Sequence, residues 1–214
     1  FTPIALEGNA YKSGDLIATI EGAMDALLTG ERVALNLVML LGGIATMTHK
    51  YAEAIAAYPT QLVDTRKTTP GLRLLEKYAC RVGGGQNHRL GLDDSIMIKD
   101  NHIKAVGGIE KAIALIRKQI PYPLSIEVET SNLEEVETAL NNQADIIMLD
   151  NMTIEEMEKA VKLIRKANYN PKIEASGNIT LNNIQQVAKT GVDYISTSAT
   201  ITRSTWLDLS MKFI

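Results

Sequence analysis

Six short apolar segments, each ending on a polar or charged residue and each followed by a helical pattern, narrow this chain to a small set of folds. They lie at 62–65, 96–99, 125–129, 145–150, 173–176 and 194–198. Near-continuous apolar strands alternating with amphipathic helices build βα units and hence a parallel sheet. The later helices carry start signals. Ser131 with Glu134 and Thr153 with Glu156 read as capping boxes, and Thr180 as an N-cap before Leu181, Ile184 and Val187, with Gly191 as the stop. A doubly wound open sheet and a barrel both satisfy this pattern, and the strand ends favour the barrel. Arg66, Lys99, Glu129, Asp150, Ser176 and Ser198 stand at those ends; a barrel gathers them at one mouth, whereas an open sheet spreads them along an edge. Six or seven strands fall short of the usual eight, so the expected fold is an incomplete or open α/β barrel.

Residues 1–57 read differently. Gly8, Gly14 and Gly22 punctuate short runs, and a helical stretch at 31–57 is interrupted by Gly42 and Gly43. Paired glycines cost helix stability, so they imply either close backbone packing or a break. The expected organisation is the remainder of an N-terminal α/β sandwich with linking helices at 1–57, a barrel at 58–204 and a C-terminal helix at 205–214, with Phe1 a truncated start. The longest apolar run, 34–47, contains Asn36 and is shorter than the roughly 20 residues a membrane span needs. A single cysteine, Cys80, excludes an intrachain disulfide framework and fits the reducing cytoplasm.

The net charge is −3, yet the stretch 64–102 concentrates Arg66, Lys67, Arg73, Arg89 and Lys99 with two of the three histidines. Positive charge that is local rather than global points to an anionic small molecule instead of nucleic acid. Arg66 and Lys67 with Thr68 and Thr69 at a helix entrance suit a carboxylate or phosphate. Three glycines before His88 and Arg89, joined to Lys99, mark a second anion pocket. Glu129 and Asp150 offer hard oxygens for Mg²⁺; charge balance against Arg66 and Lys99 is the competing reading. Glu127, two residues before Glu129, faces the same side deeper in its strand, where a structural role is expected. His102 reads as structural and His49 as helix surface. The small-residue loops at 174–180 and 196–200, with Ser176, Gly177, Ser198 and Ala199, close the last two units, where barrels bind phosphate through backbone N–H groups.

The motifs ERVALN, GGIAT, DTRKTTPGLR, GGGQNHRLGL, IKDNH, EVET, LDN and EASGNI, in that order from about Leu16 onward, resemble the quinolinate phosphoribosyltransferase family. The resemblance implies an enzyme that joins quinolinate to phosphoribosyl pyrophosphate with Mg²⁺, giving nicotinate mononucleotide, CO2 and pyrophosphate in NAD biosynthesis. It implies an α/β sandwich followed by an open barrel, in homodimers or hexamers with shared active sites. By position, Arg32, Arg66, His88, Arg89 and Lys99 match the residues holding the two quinolinate carboxylates, with Arg32 reaching across from the partner subunit. Lys67, Glu129 and Asp150 match the phosphoribosyl and magnesium positions, and Ser176 and Gly177 the 5′-phosphate loop. Gly42 stands where the family has Ser, the final loop reads STSATITRS in place of a glycine- and histidine-containing pattern, and the family's first segment is absent. A related transferase for a different acid, and a non-catalytic descendant, are the rival expectations.

Overall fold

The computed structural model describes residues 1–213. The chain opens with a two-stranded antiparallel ribbon of β1 (Thr2–Pro3) and β2 (Ala18–Thr19). Phe1, Leu6 and Leu16 in this region are more than half exposed. The helix α1 (Met24–Ala54) follows, unbroken through Gly42 and Gly43. Among the described residues it is the one helix long and apolar enough to cross a membrane. Its C-terminal half is instead packed on the rest of the chain, with Ile44, Thr48 and Tyr51 buried against α2 (Arg73–Val82) and α8 (Ala199–Thr202).

Between those helices the chain alternates as expected. The strands are β3 (Gln61–Val63), β4 (Ile96–Ile98), β5 (Ile126–Thr130), β6 (Ile146–Asp150), β7 (Lys172–Ser176) and β8 (Tyr194–Ser196). The intervening helices are α3 (Asp100–Val106), α4 (Ile109–Arg117), α5 (Leu133–Asn141), α6 (Ile154–Arg165) and α7 (Ile184–Lys189). All six strands are parallel, in the order β3-β8-β7-β6-β5-β4. From β4 to β8 each strand lies beside its successor, and right-handed crossovers then put every helix on one face. The bare face can be covered only by curling the sheet on itself. The first strand, β3, accordingly pairs with the last, β8. A single bridge from Val63 to Gln86 extends the ring on the other side of β3, leaving an unpaired seam between Gln86 and β4. This is an open α/β barrel.

Helix starts agree with the sequence for α6, where Thr153 and Glu156 cap each other reciprocally at 2.9 and 3.3 Å. Two others shift. Asn132, not Ser131, caps α5 by accepting the Glu135 N–H at 2.9 Å, and Ser131 donates its N–H to Glu135 rather than pairing with Glu134. Asn183, not Thr180, precedes α7, and its Oδ1 accepts the Thr180 N–H at 2.8 Å.

The expected C-terminal helix is absent: residues 204–213 lie in neither helix nor strand. Burial alternates residue by residue from Trp206 to Met211, the period of a strand and not of a helix. Gly43 admits the tail to the surface of α1. A Cβ there would stand 2.1 Å from the Thr205 carbonyl oxygen, so the glycine lets the tail backbone lie against α1, and Leu207 donates its N–H to the Met39 carbonyl at 3.1 Å.

Candidate active site

Alternation on the strands divides the side chains into two sets. Ile126, Val128, Ile147, Leu149, Ile173, Ala175 and Ile195 turn outward and join one apolar core with the helices. Their neighbours Glu127, Glu129, Met148, Asp150, Glu174 and Ser176 turn inward. The lumen is therefore polar, and carboxylates held there need partners.

Two arginines and a histidine arrive beside them. Asp64, buried just past β3, organises their loop: it pairs with Lys77 and accepts the Asn87 side-chain amide at 2.6 Å and the His88 N–H at 2.9 Å. Lys77 also donates to the His88 carbonyl at 2.9 Å. A buried ion pair is tolerable when further hydrogen bonds satisfy both partners, as here. The imidazole Nε2 stands 3.2 Å from Glu127 Oε2 and 3.4 Å from Glu174 Oε2, while Nδ1 accepts the Arg89 N–H at 2.7 Å. Burial lowers the proton affinity of this ring, but the two carboxylates outweigh it and draw the pKa up to about 10. The carboxylates thus favour the charged ring, while the Arg89 N–H at Nδ1 favours the neutral one. Nδ1 is engaged, while Nε2 lies within ion-pair distance of both acids without an aligned hydrogen bond to Glu127.

Arg89 donates to the Ser95 carbonyl at 2.8 Å. Burial first, and then the neighbouring charge of Arg66, lowers its pKa. Arg66 itself is half-buried with an unpartnered Nε. Two guanidinium groups crowded together with donors to spare suit an anion far better than they suit stability. Arg66 and the exposed Lys67 also border a cleft of about 540 Å³ with Thr202, Ser204 and Trp206. At the mouth, Lys99 Nζ lies 2.7 Å from Glu129 Oε2. The Asp150 carboxyl is pushed up by burial and then by Glu129, against the pull of an Asn151 hydrogen bond, Lys99 and Lys67. Its Oδ2 accepts from Asn151 at 2.8 Å. Two acids in mutual repulsion, each with an oxygen beyond these contacts, are a donor set that fits a hard divalent cation.

The sequence profile of the quinolinate phosphoribosyl transferase C-terminal domain matches residues 44–212. The chain belongs to that family. A probable carboxylating nicotinate-nucleotide pyrophosphorylase of Synechocystis is 63% identical over the whole chain, which spans 72% of that relative. The Bacillus subtilis counterpart is 45% identical, over 96% of the chain and 70% of its own length. Among solved structures, NadC from Streptococcus pyogenes superposes over 100% of this chain and 74% of its own, with a TM-score of 0.93 and 47% identity.

Of the candidate residues, the structure brings Arg66 next to Arg89, and Lys99 and Glu129 next to Asp150. Arg32 is not among them: it is exposed on α1 and paired with Glu31 at 3.1 Å. In the last loop one of the candidate phosphate donors is already occupied. The Ala199 N–H donates to Thr197 Oγ1 at 3.1 Å, and the Ser198 carbonyl accepts from Thr202, so Ala199 has no free donor. The helix-entrance donors are also used, Thr68 N–H by the Arg66 carbonyl and Thr69 N–H by Glu76 Oε2 at 2.9 Å. Gly177, at φ 93°, has a structural duty as well. A Cβ there would meet Asn151 Oδ1 at 2.2 Å, so the loops after β6 and β7 interlock only because it has none. Asp64, Lys77 and Glu174 escaped the sequence reading. Glu174 stands to Ser176 as Glu127 stands to Glu129, and that two-residue spacing is the signal that marks it; Lys77 gives none.

Proposed function

We propose that this chain is a carboxylating quinolinate phosphoribosyltransferase, transferring phosphoribosyl from phosphoribosyl pyrophosphate to quinolinate and releasing pyrophosphate, CO2 and nicotinate mononucleotide. The observation that carries the reading is the crowding of Arg66 and Arg89, with Lys99 nearby, beside the acidic pair Glu129 and Asp150. A pyridine dicarboxylate needs several cations at once, which a monoacid does not.

In this reading Arg66, Arg89 and Lys99 hold the dicarboxylate with the ring nitrogen facing the ribose anomeric carbon. The nitrogen lone pair forms the new C–N bond as the C–O bond to pyrophosphate breaks. Glu129 and Asp150 stabilise the positive charge that develops on the ribosyl group, and Lys67 meets the departing pyrophosphate; positioning and preset charge provide the acceleration. Mg²⁺, held by Glu129 and Asp150 directly or through water, would supply further charge neutralisation at the pyrophosphate. The pyridinium so formed accepts the electron pair of the C–CO2 bond, and a proton takes the place of CO2, so no protein nucleophile is required. Ser176 and Gly177 receive the 5′-phosphate. We place the enzyme in the cytoplasm as a homodimer or a trimer of dimers, its exposed apolar N-terminal surface covered by the partner and its site completed by Arg32 of the partner subunit.

A second reading, a binding homologue without turnover, draws on the occupied N–H of Ala199 in the last loop. Pyrophosphate and CO2 release from quinolinate and phosphoribosyl pyrophosphate with Mg²⁺, with nicotinate as control acid, separates the two. Both products with quinolinate alone are expected; quinolinate binding without either product would favour the second reading.

A further inference from the structure

Arg73 brings a charge that the reaction above leaves unused. It stands half-buried in the first turn of α2, between the loop after β3 that carries Arg66 and the loop before β4 that carries Arg89. Its guanidinium reaches both. Nε donates to Thr68 Oγ1 at 3.1 Å and Nη2 to the Arg66 carbonyl at 3.5 Å, while Nη1 donates to the Leu90 carbonyl at 3.1 Å. Each of its three nitrogens faces a protein oxygen, so the fork serves the loops and not a ligand. Two residues one turn further on add a grip to each loop: Glu76 Oε2 accepts the Thr69 N–H at 2.9 Å, and Lys77 donates to the His88 carbonyl at 2.9 Å.

We propose that Arg73 is a positioning residue that sets the separation of Arg66 and Arg89, and so fits the site to two carboxylates held side by side. Like charges on Arg66 and Arg89 push their loops apart while no anion lies between them. Backbone carbonyls and a hydroxyl are the acceptors through which a third cation can hold those loops, and a planar fork engages several of them at once where an ammonium on a flexible stem cannot. The arginines are then spaced before the substrate arrives, which removes ordering cost from binding. The inference rests on the proposed function only in taking one dicarboxylate to bridge the two arginines.

Calorimetry of quinolinate binding to Arg73→Lys, Arg73→Gln, Arg89→Ala and the double variant Arg73→Lys with Arg89→Ala tests it. Leaving two long side chains to be ordered on binding costs about tenfold in affinity. Both Arg73 variants are expected to bind quinolinate more weakly by that factor, because Lys keeps the charge but not the fork. In the Arg89→Ala background, where no spacing remains to be set, Arg73→Lys should add less than about threefold, since groups that act through one another are not additive. Wild-type affinity in Arg73→Lys, or the full tenfold loss repeated on Arg89→Ala, overturns the proposal. Should the variants fail to fold, side-chain NMR of the arginines in the ligand-free wild-type protein decides: hindered rotation of the Arg73 guanidinium about its Nε–Cζ bond is expected, and free rotation sinks the idea. Wild-type protein that binds no quinolinate would count against the functional reading instead, and the Arg73 rotation would still decide here.

Discussion

On β5, β6 and β7 neighbouring residues live under opposite rules. Ile126, Val128, Ile147, Leu149, Ile173 and Ala175 face the helices and are fully buried in the apolar core. One residue away, Glu127, Glu129, Asp150 and Glu174 face the lumen, where buried oxygens lack partners and like charges crowd. The outer face stabilises the fold by removing apolar surface from water. The inner face gives some of that stability back in exchange for charges already aimed before a substrate arrives. A single strand therefore separates stability from chemistry by the pleat alone.

That separation can be broken in either direction. Ile147→Ala, on the outer face, should cost about 2–5 kcal/mol, read from the urea midpoint, with the quinolinate KM unmoved; a change in KM with little loss of stability would merge the two faces. Arg89→Ala, on the inner face, should do the reverse. Quinolinate affinity by calorimetry should fall about a hundredfold, as when one partner of a buried charge pair is removed. The urea midpoint should hold or rise, because the repulsion from Arg66 is gone. Gly43→Ala tests a contact outside both faces and should cost about 1–3 kcal/mol through overpacking against Thr205; an unchanged melting temperature would mean the tail is not anchored there. The smallest stability change belongs to Asp150→Asn. Burial and Glu129 raise the Asp150 pKa in the folded state, so the folded protein binds this proton more readily than the unfolded chain does. The ionised carboxylate then costs stability at neutral pH, and the cost vanishes as pH falls below the unfolded carboxylate range. The Asn variant should gain less than about 1 kcal/mol near pH 7, nothing in acid, and lose most Mg²⁺-dependent turnover.

Much of this was legible in the sequence because it is periodic or local. Six strands and their polar ends follow from alternation, and the Thr153 cap from its spacing to Glu156. What escaped depends on contacts between distant parts of the chain. The lumen partners of His88 come from β5 and β7, and no spacing in the sequence links them. Asp64 and Lys77 look like an ordinary loop acid and a helix-surface lysine until burial pairs them. The tail at 205–213 carries apolar residues that a helix would also accept, and its contact with Gly43 on α1 joins parts of the chain that no local pattern links. The occupied Ala199 N–H depends on one rotamer of Thr197, which no motif specifies.

The pairing of β3 with β8 bears on how the protein is born. Gln61 finds Tyr194 only after nearly every other element has left the ribosome, and contacts so far apart in sequence are slow to form. Until then β3 has no strand at its side, and β7 presents an open edge of the kind that recruits neighbouring chains. Nascent chains halted before β8 should therefore be the aggregation-prone species during synthesis, and shielding the edge of β7 should keep them apart until β8 emerges.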